Sequence, residues 1–158
     1  MTIPEALNLA LRHHEAGRLQ EAEVLYRQIL QVEPNHPDAL HLLGVIAHHS
    51  GQHQIAIDYI SQAVALNPNV AEYHNNIGEV YRVLGKSQES EACYRRALAL
   101  KPDYAEACYN LGLLHSRLRR VAEAEACYRQ ALAINSAYAE AHNNLGNVLM
   151  GQGKAEEA

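Results

Sequence analysis

The chain has 158 residues, 48% hydrophobic and 20% charged, with a net charge of −5 at neutral pH. The acidic balance and the scattered Lys and Arg exclude the clustered cations that phosphate backbones require, and no apolar run is long enough to cross a membrane. Three cysteines cannot all pair, and Cys93 and Cys127, 34 residues apart, are expected to lie too far from each other for a disulfide; free thiols filling small apolar sites are expected for these and Cys108.

The opening segment, residues 1–17, carries an early acid, two histidines and no apolar core, unlike a secretory leader, so a cytoplasmic protein is expected. Beyond it a clock runs through the chain. Gly44, Gly78, Gly112 and Gly146 follow at steps of 34 residues, as do Pro34, Pro68 and Pro102. Lined up on that step, the sequence divides into units 3–36, 37–70, 71–104 and 105–138 and a fifth beginning at Ala139. Position seven reads Leu9, Leu43, Ile77, Leu111, Leu145; position twenty reads Ala22, Ala56, Ser90, Ala124, Ala158.

Within a unit the apolar residues recur at helical spacing, as in 109–118 and 123–133, and nowhere alternate as in a strand. Two helices per unit follow. Glycine inside a helix costs about 0.5–1 kcal/mol against alanine, so the four at one register imply close approach of the partner helix. Gly17, Gly51, Gly85 and Gly153 fall between the two helices, where a positive φ ends a helix; Arg119 interrupts that series and predicts a locally different turn. The prolines stop the second helices, with Ser136 in the fourth place. Asn35 to Asp38, Asn69 to Glu72 and Asp103 to Glu106 read as capping boxes, and these acids together with Glu140 are assigned to helix starts and dipoles. The fifth unit shows a first helix over 139–152 and only Lys154 to Ala158 of a second; the side around Leu145, Val148 and Leu149 is expected to be exposed and to associate with another copy or a neighbouring segment.

This pattern closely resembles the tetratricopeptide repeat family along essentially the whole chain. The resemblance implies a single all-α domain over 1–158, a right-handed α-solenoid of tandem 34-residue helix-turn-helix units, with first helices lining a concave groove. Position six, one of the groove positions in that family, reads Asn8, Leu42, Asn76, Asn110, Asn144, an asparagine ladder broken once. Amide side chains offer donors and acceptors that pair with an extended peptide whatever its sequence. Asn8, Asn75, Asn76, Tyr109, Asn110, Asn143 and Asn144 are therefore the candidate peptide-binding residues. The segments His74-Asn-Asn-Ile-Gly78 and His142-Asn-Asn-Leu-Gly146 also resemble the repeat region of O-linked N-acetylglucosamine transferases and their bacterial relatives, where a similar ladder holds protein substrates.

The expected function is a non-catalytic protein-interaction module holding an extended peptide or a helix. The alternatives are the substrate-recruiting region of a larger glycosyltransferase and a self-assembling scaffold. A chaperone-tail clamp is disfavoured, because the groove columns lack lysine. No nucleophile at a strained turn, phosphate loop or metal-ligand spacing survives the repeat explanation, so neither catalysis nor a cofactor is expected. His41 and His48, seven apart on one helix face, and His14, at the repeat position of His48 in the preceding unit, are weighed as a metal site; hydrogen-bonding imidazoles are preferred, as they are for His13 and His115 at position eleven.

Overall fold

A computed structural model of the chain describes residues 1–153. Among them are nine helices and no strand: α1 (Ile3–Glu15), α2 (Leu19–Val32), α3 (Pro37–His49), α4 (His53–Leu66), α5 (Ala71–Val83), α6 (Ser87–Leu100), α7 (Ala105–Arg117), α8 (Val121–Ile134) and α9 (Ala139–Gly151). First helices start at 3, 37, 71, 105 and 139 and second helices at 19, 53, 87 and 121, so the 34-residue period of the sequence is the period of the backbone. No described helix is long and apolar enough to cross a membrane.

The chain forms two compact units, Met1–Val80 and the part from Tyr81 onward. In the first, Ala10, Ala22, Tyr26, Ile29, Ala39, Leu43 and Ile46 pack between α1, α2 and α3, and Leu40, Ala63 and Tyr73 continue the core to α5. In the second, Tyr94, Leu111 and Leu114 join α6 to α7, while Ala124, Tyr128, Leu145 and Leu149 join α8 to α9. The small residues have a clear return. A Cβ added at Gly112 would sit 2.6 Å from Tyr128 Cε1, and one at Gly44 would collide with Ile60 Cγ1 and stand 3.1 Å from the Ala56 carbonyl. Helix axes approach closely there because these side chains are missing, which lets Ile60 and Tyr128 be enclosed at their sites.

Every turn inside a hairpin has the same construction. Gly17, Gly51 and Gly85 have φ of 77°, 79° and 76°, and the residue after each donates its N–H back to the carbonyl five residues earlier, as in Arg18 to His13 (2.8 Å) and Gln52 to Ala47 (2.8 Å). The expectation of a different fourth turn is corrected: Arg119 takes φ 60° and Arg120 N–H reaches the His115 carbonyl at 2.8 Å. Packing of α7 on α8 dictates the turn, and the arginine accepts left-handed backbone at a cost. Arg119→Gly is expected to stabilise the chain by about 0.5–1 kcal/mol, read as a melting temperature about 2–3 °C higher.

The helix starts also depart from expectation. The first helices begin one residue later than the assigned capping residues, behind His36, Tyr104 and Tyr138, and neither tyrosine caps with its side chain. His36 does so, Nδ1 accepting from Ala39 N–H at 3.2 Å. The preceding residues are consumed in a turn, as where Tyr104 N–H bonds to the Lys101 carbonyl, so Asn35 and Asp103 stand outside the cap. A capping box does form where none was assigned, with Glu5 N–H donating to Thr2 Oγ1 and Thr2 N–H to Glu5 Oε2. Asp38, Glu72, Glu106 and Glu140 do lie in first turns, where the dipole favours them. α8 ends at Ile134, in register with the others, although Ser136 replaces proline; the break comes from extended backbone at the cap, which proline reinforces but does not create.

At α9 the expected exposure is corrected too. Leu145 and Leu149 are 9% and 1% exposed, buried against Ala124 and Tyr128 of α8, because the first helix of a unit also packs on the second helix of the unit before it. Val148 is half-buried, and the apolar side chain left open is Met150, 64% exposed. The expected start of a second helix over 154–158 lies outside the described residues.

Candidate functional site

Helical geometry places positions five and six of each first helix side by side, and stacking brings position five of one unit beside position six of the next, a step of 35 residues. In the first unit, Asn76 Nδ2 lies 2.8 Å from His41 Nε2, and Asn75 Nδ2 donates to Asn76 Oδ1 at 3.4 Å. In the second, Asn144 Nδ2 donates to Tyr109 Oη at 2.9 Å. The ladder amides are thus partly used as rungs between repeats.

The candidates separate by burial. Asn8 and Asn143 are exposed, Asn76, Tyr109 and Asn144 half-buried, Asn110 8% exposed and Asn75 fully enclosed. Asn75 and Asn110 therefore serve the interior in the first instance, where a buried amide must find partners within the chain. Tyr109 is fixed by rings: its centroid lies 5.0 Å from Tyr138 and 5.9 Å from Tyr128. Asn76, Asn144 and Tyr109 are held in place yet keep open polar edges. The sequence did carry this signal, in the 35-residue step rather than the 34-residue one.

His41 is a strongly perturbed group of this face. It is 7% exposed, its ring stacks 4.6 Å from that of Tyr73, and burial depresses its pKa to about 4 against the pull of Asp38 and Glu72. It is thus a neutral imidazole that accepts from Asn76. Tyr73 donates a short hydrogen bond to Asp38, and burial, reinforced by that carboxylate, holds its phenol protonated.

The remaining histidines are dispersed. His14 Nδ1 meets Tyr26 Oη at 3.3 Å and His48 Nδ1 meets His53 Nδ1 at 3.0 Å, so His14, His41 and His48 do not converge, and no group of three or more metal-ligating side chains is gathered among the described residues. His13 accepts from Arg18 at 2.8 Å, whereas His115, 2% exposed, leaves Nδ1 without a partner, and burial lowers its pKa. Burial raises the Cys93 and Cys127 thiols to about 11 and also raises Cys108, which keeps all three from acting as ready nucleophiles. The local arginine cluster is tied down: Arg117 donates to the Arg82 carbonyl at 2.8 Å and Arg120 to Glu91 at 2.9 Å.

Comparison with known proteins agrees with this architecture. Two family models, each described as tetratricopeptide repeat, match residues 13–76 and 69–137. No curated protein matches. Among solved structures, MamA is 25% identical with a TM-score of 0.80, covering 94% of this chain and 86% of that one. PilF of Pseudomonas aeruginosa is 21% identical with a TM-score of 0.88, over 95% of this chain and 68% of that one. A thermophilic tetratricopeptide protein of Thermus thermophilus is 23% identical with a TM-score of 0.83, over 99% of this chain and 86% of that one. With its repeated hairpins, its glycine contacts and these matches, the chain is an all-α solenoid of helix-turn-helix units and belongs to the tetratricopeptide repeat family.

Proposed function

We propose that the chain is a non-catalytic protein-binding module that takes an extended peptide along its first helices, using Asn76, Asn144 and Tyr109 with the exposed Asn8 and Asn143. One observation carries the reading: Asn144 donates to Tyr109, and Asn76 donates to His41 while accepting from Asn75, yet both remain half-exposed with a second amide N–H. A side chain positioned by one hydrogen bond loses less entropy when it makes another, so such amides suit backbone recognition. Raised pKa values of the Cys93 and Cys127 thiols disfavour thiol chemistry and are consistent with binding.

The test uses random peptides displayed in a library, selected on the unaltered protein, with the best binder measured by fluorescence anisotropy. Asn76→Ala with Asn144→Ala is expected to weaken binding about tenfold or more, at a stability cost of about 1–3 kcal/mol for the three internal bonds lost. Tyr109→Phe removes the acceptor of Asn144 but leaves the amide, so it should cost stability with a smaller loss of affinity. Unchanged affinity in the double variant, with the fold intact, would leave these asparagines as inter-repeat rungs and defeat the proposal.

A further inference from the structure

Between α3 and α4 the chain reads His48-His49-Ser50-Gly51-Gln52-His53. The turn is rigidly specified: Gly51 takes φ 79°, its N–H bonds to the His48 carbonyl at 3.0 Å, and Gln52 N–H reaches the Ala47 carbonyl at 2.8 Å. This folds the last turn of α3 over the first residue of α4. His48 Nδ1 and His53 Nδ1 consequently face each other at 3.0 Å, with ring centroids 5.0 Å apart, planes inclined by 55° and both side chains half-buried. The same two repeat positions are His14 and Leu19, Arg82 and Ser87, and Ser116 and Val121 elsewhere, so the described residues pair two imidazoles across a turn only here.

The separation discriminates between ligand geometries. Two imidazole nitrogens about 2.0–2.1 Å from one ion lie about 2.8–3.0 Å apart when they subtend a right angle, and about 3.3–3.4 Å apart in a tetrahedron. The observed spacing matches a cis pair in the tetragonal arrangement that Cu²⁺ and Ni²⁺ adopt with nitrogen and oxygen ligands. Among the described residues no third His, Cys, Asp or Glu joins the pair, so a bound ion would complete its sphere with water. We propose that His48 and His53 form a two-point chelate for Cu²⁺, binding Ni²⁺ more weakly in the order expected for imidazole ligands. The pair uses none of the asparagine-face residues, and the proposal does not rest on the peptide-binding reading.

The experiment is a CuCl₂ titration of the full chain in a weakly coordinating buffer near pH 7.5, followed by electron paramagnetic resonance and visible absorption. One ion per chain with two nitrogen ligands is expected, and binding should weaken as the solution is acidified because a ligating imidazole must be deprotonated. His53→Gln, which keeps a hydrogen-bonding side chain, and His48→Gln should each weaken it at least tenfold, while His13→Gln leaves it unchanged. Equal affinity and nitrogen count in His53→Gln would overturn the assignment and leave the pair bridged by a proton alone. If either variant misfolds, sub-stoichiometric Cu²⁺ added to the unaltered chain locates the ion by selective broadening of amide resonances. Broadening centred on residues 47–53 supports the chelate, and broadening centred elsewhere rejects it.

Discussion

Gly112→Leu should lower stability by about 3 kcal/mol or more, a fall in melting temperature of about 10 °C. The first atom of any added side chain would stand 2.6 Å from Tyr128 Cε1 and 2.8 Å from Cδ1, and the ring has little room to yield: Tyr128 is 1% exposed and its hydroxyl pairs with Ser116 Oγ at 3.0 Å. A leucine would have to push α7 off α8 or eject the tyrosine. Chemical denaturation of the variant, with Gly151→Ala as a control whose added Cβ meets nothing within 4 Å, checks this. The source of the loss is specific, so it should be partly reversible. Tyr128→Ala by itself opens a cavity costing about 3–5 kcal/mol, but in the double variant the leucine occupies part of that space, and the two losses should fall short of additivity by about 1–3 kcal/mol. Strict additivity would show that the two side chains do not share the contact.

Stability should also fall as pH drops from about 6.5 towards about 4, because of His41. Its folded pKa is depressed to about 4 while the unfolded chain titrates near 6.5, so between those values the unfolded state binds more protons and stability rises with pH. At pH 7 both states are neutral at this site and there is no penalty; below about pH 4 the penalty is complete, about 3 kcal/mol. The cause is structural. A protonated His41, enclosed against Tyr73, would point an Nε2 proton at the amide that Asn76 now donates. His41→Leu, which installs the residue type found at position five of the first unit, should flatten the slope in thermal melts from pH 4 to 7. A slope unchanged in that variant would assign the acid sensitivity to other imidazoles such as the half-buried His14 and the buried His115, whose pKa values burial also lowers.

The binding face shows how far a repeat period can be read. The ladder column was legible because Asn8, Asn76, Asn110 and Asn144 recur at one register, and so was the break at Leu42. What each amide does was not legible. Asn75 and Asn76 are neighbours of one residue type, yet one is enclosed and the other half-open, since adjacent residues on a helix point about 100° apart and only the stacked neighbour decides which direction is covered.

By itself the sequence determined the unit length, the two helices per unit, the glycine contacts at Gly44 and Gly112 and the free thiols, because spacing and side-chain volume set these locally or repeat in every unit. Tertiary structure decided the rest. Arg119 adopts left-handed backbone because the hairpin packing on both sides outweighs its own preference, and α8 ends in register without a proline for the same reason. Leu145 and Leu149 are buried against Ala124 and Tyr128 of the preceding unit. The pairings of His41 with Asn76, Tyr109 with Asn144 and His48 with His53 depend on how helices stack and turn, and a hydrogen bond is decided by a few tenths of an ångström that the order of residues does not encode.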